Sequence, residues 1–282
     1  MKRIIAYTLF LASIISCYKT EIERHESSDI LYTTIEDIPD TKTYIDENKR
    51  IVWSEDDQIA VYTNSSSKLK YEVEDSSVGK SCGNFRRVDS ENDMQDGGEK
   101  WTHNIAVYPY DMVTGCTQLS SYCFAELILP TTQKYSEGSF GKDTFPMVSI
   151  FQDNNLSFRN ICGAIVLQLI GQDKITSIKF QGNNGEIIAG EAIITMISED
   201  AAPSITMSGS ESTSVILDCG NGIELNEDTP TSFIITLPPT SFKYGFSIVI
   251  TNDEGEEHCI STDKENTIYR STLLIMPAVI VE

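Results

Sequence analysis

The sequence predicts an all-β chain arranged as two β-sandwiches in tandem, and three observations carry that expectation. Nowhere do apolar residues hold a 3.6-residue period for three turns, so helices should be few. Short apolar or alternating runs recur at near-regular spacing, each closed by Pro, Gly, Asn or Asp, as strands and their turns are. The chain has 282 residues, 40% of them hydrophobic, which is too long for one average domain and comfortable for two.

The first strand expected is Ile30 to Ile35, rich in β-branched and aromatic residues and broken by Ile38-Pro39-Asp40. Asp46 to Arg50 reads as a charged loop. A second strand starts at Ile51-Val52-Trp53, turns through Glu55-Asp56-Asp57 and resumes as Gln58 to Tyr62. Residues 64–100 are rich in Ser, Gly, Asp and Asn, with weaker strand signals at Lys70 to Val73 and Gly83 to Arg87. Asn104 to Tyr110, Phe124 to Leu129 and Phe145 to Phe151 follow. Next come Ala164 to Leu169, Thr176 to Phe180, Ile187 to Met196, Val215 to Cys219 and Ser232 to Leu237. Tyr244 to Thr251 alternates cleanly, with Tyr244, Phe246, Ile248 and Ile250 on one face, the pattern of a half-buried strand. The last expected strand, Ser271 to Val281, is apolar and interrupted by Pro277. The polar stretch Gln152-Asp153-Asn154-Asn155 is the expected boundary, giving sandwiches at 30–152 and 153–282.

Met1 to Cys17 has the form of an export signal. Lys2 and Arg3 are followed by an apolar run from Ile4 to Ile15, shorter than a membrane span, and then by Ser16 and Cys17. Ile14-Ile15-Ser16-Cys17 resembles a bacterial lipoprotein box. Residues 1–16 are therefore expected to be a signal peptide, Cys17 the lipidated first residue of the mature chain, and residues 17–29 a polar tether. The formal charge of −21 argues against nucleic acid or an anionic membrane face as a partner. Six further cysteines permit up to three disulfides. Cys116 and Cys123 flank a short polar loop and are the expected bridged pair. Cys162 and Cys219, in apolar runs, read as buried thiols.

No constellation for catalysis or cofactor binding stands out. His25, His103 and His258 lack the spacing of zinc ligands. His258 and Cys259, adjacent on one strand, would point to opposite faces. Gly138-Ser139-Phe140-Gly141-Lys142 has the wrong glycine spacing for a phosphate loop and is followed by Asp143. Asp89 to Asp93 begins like a calcium loop, but Met94 takes the place of the turn glycine and Lys100 that of the bidentate acid. No Asp/Glu pair is singled out as a hydrolase would need. The chain is expected to be non-enzymatic, to use no metal or cofactor, and to assemble or bind.

Several stretches occur in a telling order: Val52-Trp53, Asp57-x-Ile59-x-Val61-Tyr62, Ala106-Val107-Tyr108-Pro109-Tyr110, Leu129-Pro130-x-x-Gln133 and Pro146-Met147. They are followed by Leu156-Ser157-Phe158-x-Asn160-x-Cys162-Gly163-Ala164 and Leu274-x-Met276-Pro277. With the lipoprotein box, this order resembles the fimbrillin family, the lipoprotein precursors of surface pili in Bacteroides-type bacteria. The resemblance spans nearly all of the mature chain. It implies two transthyretin-like β-sandwiches and a precursor carried to the outer membrane by its lipid. It also implies that a surface protease cuts after an arginine, that the first strand leaves, and that a strand from another subunit takes its place.

Carried onto this sequence, the resemblance makes Ile30, Leu31, Tyr32, Thr33, Thr34 and Ile35 the leaving strand and Arg50 the cut site. Arg24 is a poorer choice, since a cut there frees the lipid and opens no groove. The donor strand would be Leu273, Leu274, Ile275, Met276, Pro277, Ala278, Val279, Ile280 and Val281, whose proline suits an edge position. The implied partners are other pilin subunits, the outer membrane through the lipid on Cys17, and a host protein or glycan. The alternative is a permanently anchored outer-membrane lipoprotein that binds such a ligand without polymerising. An aromatic patch around Trp53, Trp101, Tyr108 and Tyr110 would serve that role, unless those rings pack a core.

Overall fold

The computed structural model describes residues 29–38, 51–65, 67–88, 101–209 and 212–281. Cys17, the tether up to residue 28, Arg24, Arg50 and the acidic run at 89–100 lie outside the described residues.

The described residues form twenty-two strands. The first ten are β1 (Ile30–Ile35), β2 (Gln58–Tyr62), β3 (Leu69–Val73), β4 (Cys82–Arg87), β5 (Asn104–Tyr108), β6 (Val113–Leu119), β7 (Tyr122–Leu129), β8 (Thr132–Lys134), β9 (Met147–Phe151) and β10 (Asn155–Asn160). There follow β11 (Gly163–Gly171), β12 (Lys174–Gly182), β13 (Gly190–Met196), β14 (Ser204–Met207), β15 (Ser214–Glu224) and β16 (Thr231–Leu237). The last six are β17 (Thr240–Phe242), β18 (Phe246–Asn252), β19 (Glu257–Thr262), β20 (Asn266–Ile268), β21 (Leu273–Ile275) and β22 (Val279–Val281).

Seven strands close a barrel in the order β1-β10-β9-β5-β2-β3-β4. Its interior is filled by Leu31, Trp53, Ile59, Val61, Tyr71, Phe85 and Phe158 among others. The Trp53 ring meets Phe85, Tyr108 and Phe158 edge-on, with centroids 4.7, 5.5 and 5.5 Å away. The outer faces of β2, β5 and β9 are buried too, because the sheet β14-β13-β7-β6 packs over them. Ala60, Tyr62, Ile105, Val107, Val148 and Ile150 face Cys116, Ala125, Leu127, Ala192 and Ile194 across that second core. Burial on both faces explains why Ile59 to Tyr62 and Ile105 to Tyr108 read as unbroken apolar runs and not as alternation.

The other end of the molecule is a sandwich. The sheet β16-β11-β21, with β22 also on β11, faces the sheet β19-β18-β12-β15-β8 across a core of Ile165, Leu167, Ile178, Phe180, Leu217, Phe233, Ile248 and their neighbours. The predominance of β structure is as expected. The boundary expected at 152/153 does not follow the sheets. β10 belongs to the barrel, β13 and β14 extend the sheet that holds β7, and β8 joins β15. Gln152 to Asn154, in the stretch expected to be the boundary, is the turn between the antiparallel neighbours β9 and β10.

Ile51 to Trp53 is not a strand. The chain there is tied by the Trp53 amide donating to Lys80 O at 3.0 Å and by the Gly79 amide donating to Trp53 O at 2.8 Å. The apolar residues serve the barrel core and the cavity described below. Ile30 to Ile35 and Gln58 to Tyr62 coincide with β1 and β2, and other expected strands lie within a few residues of β3, β4, β5, β7, β9, β11, β12, β13, β15, β16 and β18. β6, β8, β10, β14, β17, β19 and β20 were not expected; β6, β14 and β19 are largely polar on an exposed face.

Candidate functional site: the seat of the first strand and the cavity beside it

β1 coincides with the run singled out in the sequence. It lies between two partners, antiparallel to β4 and parallel to β10, with Leu31 opposite Phe85 and Thr33 opposite Leu156. Alternation sets its faces: Leu31 and Thr33 are buried, while Tyr32 and Thr34 are exposed. On one side Tyr32 N donates to Asn154 O at 2.8 Å and Glu36 N to Phe158 O at 2.9 Å. On the other, Ile35 N donates to Ser81 O at 2.9 Å, and Thr33 Oγ1 to Gly83 O at 3.0 Å. Gly83 has to be glycine, because a Cβ there would come within 2.4 Å of Ser77 Cβ and 3.4 Å of Trp53 Cδ1.

Just past β1, Glu36 is held from the opposite half of the sequence. Arg270 grips its carboxylate with both guanidinium nitrogens, at 2.5 and 2.9 Å. Asn160 N donates to the same carboxylate at 2.9 Å, and Asn160 Nδ2 donates to Glu36 O at 3.1 Å and to Ser271 Oγ at 2.8 Å. Burial on its own would raise the Glu36 pKa. The hydrogen bonds from Arg270 and Asn160, with the charges of Arg270 and Arg159, outweigh it and hold the carboxyl below its ordinary value. No local pattern joins residues 234 positions apart, and sequence reading had missed this cluster.

Beyond Glu36 the chain borders a cavity of about 310 Å³. Ile38 and Ile51, on either side of residues 39–50, both line it, together with Phe140, Phe145, Ile234 and Leu273. Its polar wall is Ser54, Asp57, Tyr108 and Lys142. The loop at 138–142, dismissed as a phosphate site, is thus part of the wall. Asp57 is buried, and that burial pushes its carboxyl up to about 6 despite the hydrogen bonds from Ser54 N and Tyr108 Oη.

The expected donor strand is split. β21 and β22 both run parallel to β11 along the edge of its sheet, with Pro277 and Ala278 exposed between them. Proline has no N–H to give a neighbour, so the edge is where it fits. The expected Cys116–Cys123 bridge is not formed; both are buried free thiols. The register pairs Cys116 with Ala125 and Cys123 with Gln118, which places the two sulfurs diagonally and not opposite each other. The aromatic patch is corrected as well. Trp53 and Tyr108 are buried in the barrel core, and Trp101 and Tyr110 pack against the second core.

No family model matches the chain, and no curated protein sequence does. Solved structures do. A candidate cell adhesion protein from Bacteroides ovatus matches with a TM-score of 0.52 and 12% identity, over 89% of this chain and 91% of that one. A second candidate cell adhesion protein, from Bacteroides uniformis, gives 0.48 at 11% identity, with 89% and 91% covered. The tip fimbrial protein Mfa3 from Porphyromonas gingivalis, with C-terminal truncation, gives 0.33 at 9% identity, with 87% and 92% covered. The first likeness shows the fold, shared along most of both chains; the other two are weaker and add nothing to it. What the likeness carries is the fold, shared with a candidate cell adhesion protein at 12% identity.

Proposed function

We propose that the chain is a cell-surface fimbrial subunit or accessory protein that serves adhesion by assembling and not by catalysis. In this reading it is exported as a lipoprotein through Cys17 and anchored at the outer membrane. A cut after Arg50 then removes the segment that includes β1, and a strand of another subunit enters the vacated seat. The observation that carries the reading is the seat itself. A six-residue strand near the start of the sequence is hydrogen-bonded on both sides and contributes Leu31 and Thr33 to the barrel core. Removing it would leave β4 and β10 as facing open edges above apolar side chains. Such a slot is what an added strand fills, with backbone hydrogen bonds for affinity and alternate side chains for specificity. Left unfilled, it would invite indiscriminate aggregation.

The test is limited treatment of the purified chain with an arginine-specific protease, because trypsin would also cut after Lys49, with Arg50→Ala as control. Cleavage after Arg50 should convert monomer into SDS-resistant oligomers, and the control should stay monomeric. A cleaved chain that remains monomeric at high concentration overturns the reading. On cells, the first residue of the mature protein should be Ile51; finding lipidated Cys17 retained would point instead to the permanently anchored binding protein.

A further inference from the structure

Besides the backbone hydrogen bonds of β1, one cluster of side chains fastens that end of the strand, and its position ties together two segments far apart in sequence. Glu36 directly follows β1. Arg270 and Ser271 come directly before Thr272 and β21, and Ser271 N donates to Cys162 O at 2.8 Å. Asn160, fully buried at the end of β10, bridges the two segments by bonding both Glu36 and Ser271. The charge of Arg159, whose Nε is buried with no hydrogen-bond partner, adds to that of Arg270 in favouring the ionised Glu36 carboxylate.

We propose that the Glu36–Arg270 pair, with Asn160 between them, is a latch that couples the seating of β1 to the seating of the segment that begins β21. While Glu36 is bound, both segments are held. When β1 leaves, Arg270 loses its acid, Asn160 Nδ2 loses the Glu36 carbonyl, and the root of β21 loosens together with the groove. The inference rests on the reading of β1 as an exchangeable strand for its biological meaning, though the coupling itself needs neither cleavage nor assembly. Its corollary is a carboxylate-binding site at the end of the open groove. A strand that replaces β1 restores the latch only if it carries Asp or Glu at the place of Glu36.

The latch is tested by amide hydrogen exchange on the uncleaved full chain, comparing wild type with Glu36→Gln and Arg270→Lys. Glu36→Gln keeps the size and removes the charge; Arg270→Lys keeps the charge and loses the two-pronged grip. The Tyr32 and Glu36 amides report on β1, and the Ser271 and Met276 amides, bonded to Cys162 O and Val166 O, report on the other segment. The Ile178 and Lys179 amides in the middle of β12 serve as the control. Losing charge-assisted hydrogen bonds at this site should speed exchange about 10- to 100-fold in both reporting segments and leave the control unchanged. Arg270→Lys should fall between wild type and Glu36→Gln. Faster exchange in β1 alone overturns the coupling, and no change in either segment overturns the latch. Coupled opening in a chain that never oligomerises after cleavage would leave the latch standing and remove the proposed function.

Discussion

The phenol of Tyr108 donates to Asp57 Oδ1 at 3.0 Å, and the Ser54 amide donates to Oδ2 at 2.7 Å. These two bonds do not make up for taking the carboxylate out of water, so its pKa rises from 3.8 to about 6; Asp143 adds to the rise and Lys142 opposes it. A raised acid pKa means that the folded chain holds the proton more tightly than the unfolded one. Ionisation thus costs stability as pH rises from 3.8 through about 6, and the full cost applies above that. At about 1.4 kcal/mol per unit it is on the order of 3 kcal/mol. Asp57→Asn, which has no such titration, should gain on wild type by roughly that amount between pH 4 and pH 7.5. Urea unfolding at the two pH values measures the gap, and a gap independent of pH would contradict the assignment.

Alternation along β1 makes a sharp comparison between neighbours. Leu31 is 2% exposed in the barrel core, and Tyr32 beside it is 51% exposed. Leu31→Ala should cost about 2–5 kcal/mol through lost burial and the cavity left behind. Tyr32→Ala should stay within about 0.5 kcal/mol, as surface changes usually do. Thermal or urea unfolding decides it, and equal losses at both positions would mean that β1 is not seated in this register.

How much of this was legible in the sequence depended on the range of the interaction. Ile30 to Ile35 was readable because local composition and a following proline define it. The clean face of Phe246, Ile248 and Ile250 is likewise a period-2 pattern that one strand carries by itself. Strands β6 and β19 were hidden because hairpin partners hold them, Cys116 against Ala125 and Cys259 against Val249, while half of their side chains face water. The interleaved sheets were hidden for a different reason. The parallel pairings of β1 with β10 and of β8 with β15 join segments far apart in sequence, and no local signal specifies a parallel neighbour. At the site, Glu55-Asp56-Asp57 announced an acidic turn but not which acid turns inward. The structure buries Asp57 and puts Asp56 at φ 64° in the turn.

The cysteines give a chemical check on the corrected pairing. Cys116, Cys123, Cys162 and Cys219 are buried thiols, while Cys82 and Cys259 are exposed. Burial raises all four of the buried thiols, Cys219 to about 12, and so suppresses the reactive thiolate at neutral pH. Of the six, a thiol reagent such as iodoacetamide should label Cys82 and Cys259 within minutes and the others only on unfolding. Mass spectrometry of the labelled peptides reads this directly. Reductant should leave the melting temperature unchanged; a fall of several degrees would restore the Cys116–Cys123 bridge.

Gly163 marks where the segment carrying Arg270 crosses the start of β11. A Cβ at Gly163 would come within 2.2 Å of Tyr269 O and 2.9 Å of both Thr272 O and Ile268 Cγ2. Two of those atoms are backbone and cannot rotate away. Gly163→Ala should therefore cost about 1–3 kcal/mol by overpacking. Gly115→Ala is the matched control, since its Cβ would meet only Glu126 Oε2, at an ordinary 3.5 Å. The loss at Gly163 should also be local in character, because the displaced residues 268–272 flank the Arg270 grip on Glu36. Hydrogen exchange should show the Ser271 amide loosened in Gly163→Ala and not in Gly115→Ala. A protected Ser271 amide in a destabilised Gly163→Ala chain would mean that the strain is relieved elsewhere, within β11 or its partner β16.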